Sequence, residues 1–152
     1  MHGRHGDTGD ELPDGWSLMQ WINDEIQSRF PGRPTIAEDL QNSDWLTKKT
    51  SEGGAGFGSQ WDAGFVNVIR NTVTSIDDKV RPMGTIRDVL MHYYNGDAFQ
   101  RVIYSESHDD VANGKARIPQ EISPDDPDNW FAQKRSTLAA ALMLTAPGLS
   151  LI

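Results

Sequence analysis

The sequence predicts a parallel α/β fold, and three observations carry that expectation. Two segments, "PTIAEDL" and "FQRVIYSE", are rich in apolar and β-branched residues without strict alternation. Stretches with helical apolar spacing lie around and between them. Glycine- and proline-marked breaks separate one pattern from the next. Strands covered on both faces lose the inside-outside alternation of a half-solvated sheet, and flanking helices are what cover them.

The opening fifteen residues, rich in Gly, Asp and Pro, read as a loop. "GWSLMQWINDEIQSRFPGRP" follows, with Leu18, Trp21, Ile22 and Ile26 on one helical face and Pro31-Gly32 as the stop. "PTIAEDL" reads as a short buried strand that ends in carboxylates. "TKKTSEGGAGFGSQWDAGF" reads as a long polar and glycine-rich loop, after which Phe65, Ile69 and Val73 recur at helical spacing. In "TIRDVLMHYYNG", Ile86, Val89, Leu90 and Tyr93 share a face, Thr85 and Asp88 have the spacing of a capping box, and Asn95-Gly96 is the stop. "FQRVIYSE" is the second strand, "SPDDPDN" a loop, and "WFAQKRSTLAAALMLTAPG" a helix halted at Pro147-Gly148. The final "LSLI" reads as the start of another buried strand.

A chain of 152 residues is long enough for one domain with a core, and no internal domain boundary, repeat or low-complexity tract is visible. With 14 Lys and Arg against 22 Asp and Glu, the net charge of -8 disfavours a nucleic-acid binder, because phosphate neutralisation needs clustered cations. No run of about 18 apolar residues is present to span a bilayer, and "MHGRHGDTGDELPDG" lacks the apolar stretch of a signal peptide. The expectation is a soluble, cytoplasmic protein. Zero cysteines exclude disulfides, thiolate nucleophiles and Cys-ligated zinc.

The glycine run Gly53 to Gly58 lacks both the Lys-Ser/Thr of a phosphate loop and the spacing of a dinucleotide fingerprint, and so reads as a flexible loop leading into a strand. His2 and His5 belong to a solvated tail, and His92 lies in a helix beside Tyr93 and Tyr94. Glu38 and Asp39 close the first strand. A carboxyl partly desolvated there is held protonated more readily, as a general acid must be, or else the pair simply begins a loop. His108 and Asp109, in "YSESHDDV", end the second strand. They are either a polar turn or a hydrogen-bond donor and carboxylate for a cationic transition state. In a parallel barrel the loops after successive strands converge on one face, where both pairs would flank one ligand.

"TIAEDLQ", "GGAGFGSQWDAGF" and "VIYSESHDDVANGK" together resemble the later part of the catalytic barrel of the α-amylase superfamily, glycoside hydrolase family 13, and most of all the 1,4-α-glucan branching enzymes. The resemblance covers nearly the whole chain. It implies a partial TIM (β/α)8 barrel, roughly strands five to eight with their helices, acting on an α-1,4-glucan. It also implies roles: Glu38 as the general acid/base, Asp109 as the transition-state-stabilising carboxylate, and His108 as its hydrogen-bonding neighbour. The segment Gly56 to Trp61 resembles the sixth strand and its approach, and Leu149 to Ile152 the start of the eighth. No cofactor and no metal site is implied.

The family's nucleophile, an aspartate within an "RxD" pattern at the fourth strand, has no counterpart before Glu38, and Asp7, Asp10 and Asp14 are loop acids. The resemblance therefore places the nucleophile upstream of Met1 and makes this chain alone inactive. It also implies open strand edges and helix faces that a first barrel half, or self-association, would cover. An α-amylase-type hydrolase shares the same machinery. A rival of another class is a non-catalytic carbohydrate-binding module that stacks sugars on Trp16, Trp45, Trp61 and Trp130, although core packing is the commoner use of a tryptophan.

Overall fold

The computed structural model describes residues 12–152. Helices α1 (Pro13–Arg29), α2 (Asp44–Thr47), α3 (Ala63–Thr74), α4 (Met83–Met91), α5 (His108–Ala112), α6 (Ile118–Ile122) and α7 (Trp130–Thr145) alternate with strands β1 (Ile36–Ala37), β2 (Ser59–Trp61), β3 (Arg101–Ile103) and β4 (Leu149–Ser150). The strand order is β1-β2-β3-β4, the order along the chain. β1 pairs with β2 in parallel, Ile36 opposite Ser59, and β2 with β3, Gln60 opposite Arg101. A parallel sheet in sequential order with intervening helices is the mixed α/β pattern expected, and it is compatible with part of a (β/α)8 barrel.

The chain's contacts divide it into two compact units. One runs up to Ala63 and includes Tyr93–Val102; the other comprises Gly64–His92 and Ile103–Ile152. In the first, Trp16, Ala37, Leu46 and Ala55 form the buried core, with Met19, Trp45 and Phe57 packed on it. Helix α1 begins with Pro13, whose missing N–H costs nothing in a first turn, so the helix starts inside the segment read as a loop.

The buried face of α1 differs from the one expected. Leu18, Trp21 and Ile22 are exposed, whereas Trp16 and Asn23 are buried. Hydrogen bonding selects that face. Trp16 Nε1, Gln20 Nε2 and Asn23 Nδ2 donate to the carbonyls of Gly53, Gly54 and Ala55 at 3.1, 2.7 and 2.7 Å. Three consecutive carbonyls turned inward need donors, and side chains at i, i+4 and i+7 supply them from one helical stripe. The glycine run is thus pinned to α1 rather than flexible. The reading of residues 47–65 as one loop also misses the short 3-10 turn Thr50–Glu52 and β2, whereas the resemblance marked Gly56 to Trp61 as a strand with its approach.

In the second unit, Phe65, Ile69 and Val73 are buried together with Ile86, Ile103, Ile118, Ala139 and Met143. The helical spacing read from the sequence is therefore the core-facing stripe of α3. Helix α4 departs from expectation at both ends. Its N-cap is Pro82 with no side-chain hydrogen bond, Thr85 lies inside the helix, and Asp88 pairs with Arg87 at 2.8 Å, so no capping box forms there. The helix ends at Met91, which leaves His92 and Tyr93 outside it, and Asn95 and Gly96 form a separate turn with positive φ. Helix α7 carries its cap on Asn129, whose side chain accepts from the Ala132 N–H at 3.0 Å. β4 lies beside β3, with the Leu151 N–H donating to the Ile103 carbonyl at 2.9 Å. Among the described residues no helix is long and apolar enough to cross a membrane.

Candidate active site

In the first unit Glu38, Asp39 and Asp62 sit just past the carboxyl ends of β1 and β2. β1 ends at the buried Ala37, and Glu38 follows with its side chain exposed. The desolvation expected of Glu38 is therefore absent among the described residues, because the strand stops one residue earlier. Asp39 is half-buried, with its Oδ2 atom enclosed. Asp62 follows β2, and its backbone N–H donates to the Val102 carbonyl at 2.9 Å. Its carboxylate meets Arg101 Nη1 at 3.2 Å, with both side chains removed from solvent.

Tyr94, also buried, donates its hydroxyl to Asn42 Oδ1 at 3.2 Å. Burial pushes the Tyr94 hydroxyl up, the negative charges of Asp62, Asp44 and Asp39 push it further, and Arg101 opposes them only in part. Tyr94 therefore stays protonated and a donor at neutral pH. Sequence reasoning missed Asp62, Arg101 and Tyr94. The one available signal was the aspartate directly after the strand in "SQWD".

Two cavities of about 300 Å³ each also lie in this unit. Thr35 and Gly58, which line the first, precede β1 and β2, and Gly58 lines the second as well. Both cavities are thus at the amino ends of the strands, whereas Glu38 is at a carboxyl end, where parallel α/β barrels place their chemistry.

In the second unit the "SHDD" segment is a capped helical turn. It stands four residues beyond the end of β3 instead of at the strand end itself. Ser107 Oγ accepts from the Asp110 N–H at 3.3 Å, and Asp110 Oδ2 accepts from the Ser107 N–H at 3.1 Å, a complete capping box. Burial alone would push the Asp110 carboxyl up. The hydrogen bond and charge of Lys115, the Ser107 N–H and the charge of Arg70 outweigh it and hold Asp110 below the usual carboxylate range.

Asp110 is thus committed to structure, and the two residues before it are left outward. His108 and Asp109 occupy the first two helical positions, with side chains 81% and 51% exposed and His108 Nε2 3.4 Å from Asp109 Oδ1. The structure brings this pair together. Such a pair offers a ligand one N–H donor and one carboxylate on an open surface.

Of the four candidate stacking tryptophans, Trp16 is excluded: its ring is in the core and its N–H is used on Gly53. Trp45 is half-buried beneath Lys48 Nζ at 4.3 Å, and Trp61 is half-buried at the end of β2. Trp130 is exposed, edge-on to Phe131 at 5.1 Å. His2 and His5, with Asp7 and Asp10, lie outside the described residues. Among the described residues no group of three or more His, Asp or Glu is placed to hold a metal ion.

No family model matches the chain. Curated relatives do, and those compared carry one name, 1,4-alpha-glucan branching enzyme GlgB. The chain is 27% identical to that of Pseudoalteromonas atlantica over 93% of its own length and 19% of the relative's. It is 31% identical to that of Kitasatospora aureofaciens over 97% of itself and 18% of the relative, and 32% identical to that of Shewanella frigidimarina over 95% of itself and 18% of the relative. The chain thus resembles one segment of the branching enzymes of glycoside hydrolase family 13 along nearly all of its length. It spans about a fifth of the length of the curated relatives it matches.

Proposed function

We propose that residues 1–152 are the later part of the catalytic barrel of an α-glucan-active retaining transglycosylase of the branching type, working in cytoplasmic glycogen or starch metabolism. The similarity to branching enzymes along nearly the whole chain carries this reading. Glu38, just past β1, and the His108-Asp109 pair, held outward by its capping box, support it.

In this reading an aspartate outside these residues attacks the anomeric carbon of a donor glucan while Glu38 protonates the departing glycosidic oxygen. Asp109 stabilises the oxocarbenium-like sugar, and His108 donates a hydrogen bond to the same ring. Glu38, now ionised, takes the proton from the 6-hydroxyl of an acceptor glucan as that oxygen displaces the aspartate, and the new linkage is a branch. Transfer to water by the same steps is the amylase-type outcome, and the relatives' name favours the glucan acceptor.

The partner in this reading is a first barrel half. The apolar residues left exposed on α1 (Leu18, Trp21, Ile22) and on α7 (Trp130, Phe131, Leu138) support a covered state for each helix.

The chain alone contains no "RxD" aspartate ahead of Glu38, and without an attacking atom the double displacement has no first step. Purified chain incubated with amylose is expected to leave both the iodine stain and the number of reducing ends unchanged. Clear turnover that Glu38→Gln abolishes would overturn the placement of the nucleophile outside these residues.

A further inference from the structure

Within the second unit, the segment that carries His108 and Asp109 is tied at its neck rather than along its length. Glu106 stands before the pair. Its Oε2 accepts from the Ile118 N–H at 3.1 Å and its Oε1 from Arg117 Nη1 at 2.6 Å, which closes residues 106–118 into a compact loop. The hydrogen bonds inside that loop are local: the Ser107-Asp110 box, Lys115 Nζ to Asp110 Oδ1 at 3.2 Å, and Asn113 Nδ2 to the Asp109 carbonyl at 2.8 Å. They shape the turn but do not anchor it to the rest of the unit.

The anchor comes from α3. Arg70, its side chain 3% exposed, sets Nη1 3.7 Å from Glu106 Oε2 and Nη2 2.9 Å from Glu121 Oε1, and Nη2 also donates to the Ala116 carbonyl. One guanidinium therefore holds the chain before the pair, the chain after it, and α6. Arg70 follows the buried Ile69 directly on α3, so the grip is referred to the apolar core.

We propose that Arg70 is a positioning residue for the His108-Asp109 pair: it fixes the loop at Glu106, Ala116 and Glu121 and so sets where the pair stands. The catalytic meaning of that placement rests on the glucan reading above. A planar fork with several donors meets two carboxylates and a carbonyl at once, whereas the single ammonium of a lysine cannot match that arrangement.

The test compares the unaltered chain with Arg70→Gln, Arg70→Lys and Glu121→Gln by amide hydrogen exchange and by NMR titration with maltoheptaose. In Arg70→Gln, amides of residues 107–115 exchange at least about tenfold faster while those of α3 and α7 keep their rates, as expected of a local tether. Maltoheptaose shifts at His108 and Asp109 are lost, those at Glu38 persist, and Arg70→Lys restores the 107–115 protection only in part. If Arg70→Gln does not fold, Glu121→Gln, which keeps the Glu106 contact, shows the same local change at smaller size. Exchange rising uniformly through the second unit, or unchanged at 107–115, overturns the proposal. An unaltered chain that maltoheptaose does not shift anywhere defeats the glucan reading instead, and the exchange comparison still decides whether Arg70 is the tether.

Discussion

Replacing Arg101 with methionine is expected to lower the unfolding free energy by about 3–5 kcal/mol, because it leaves the Asp62 carboxylate buried without its cation. Neither side chain reaches water: Arg101 is 0% and Asp62 2% exposed. A surface ion pair is worth little because water solvates each partner when the other is removed. Here solvent is not available to Asp62, so the cost is that of a buried carboxylate deprived of this cation or of protonating it. The double variant Arg101→Met with Asp62→Leu is expected to recover most of the loss, as apolar replacements of buried pairs often do. Urea unfolding of the single and double variants checks both statements. A loss below about 1 kcal/mol in the single variant would show that the pair behaves as a solvated one.

Gly54→Ala is expected to cost about 3 kcal/mol, at the upper end of what overpacking does. A Cβ there would lie 2.1 Å from the Lys48 carbonyl oxygen and 2.4 Å from its carbon, which are backbone atoms that cannot swing aside. Relief requires moving the Gly53–Ala55 segment, and that breaks its registry with Trp16, Gln20 and Asn23 of α1. Gly84→Ala is the matched control. Gly84 lies in α4, where an added carbon would meet nothing within 4 Å beyond the local backbone of its own helix, so the substitution is neutral or stabilises by up to about 1 kcal/mol. Equal melting temperatures for the two variants would contradict the close approach at Gly54.

What the sequence made legible followed regular periods and strong stops. Phe65, Ile69 and Val73 repeat at helical spacing because one stripe of α3 meets the core, and Pro147-Gly148 ends α7 as expected. A side chain at Gly148 would press on Ile103 at 3.2 Å, so glycine there also lets the chain pass close to β3.

What stayed hidden depended on partners distant in sequence. The apolar residues of α1 suggested one face, but three inward carbonyls from residues 53–55 recruited another. Arg101 sits in an apolar strand pattern, and only the fold reveals that Asp62 accompanies it. The capping box was written in the sequence as Ser107-His-Asp-Asp110, the same spacing as the Thr85-Asp88 pair that does not cap. The two differ in setting: Pro82 already starts α4 ahead of Thr85, whereas Ser107 follows the last extended residues after β3.

For the candidate site, the sequence named Glu38, His108 and Asp109 through resemblance. It could not show that Glu38 is exposed or that Asp110 is the acid committed to structure.

The roles proposed above require that Glu38 and the His108-Asp109 pair serve one glucan. Titrating the isotopically labelled chain with maltoheptaose and following every backbone amide by NMR tests it directly. Amides of residues 36–40 and 107–110 are expected to shift together and to fit a single dissociation constant. Two different constants, or shifts in one group with the other silent, would contradict it.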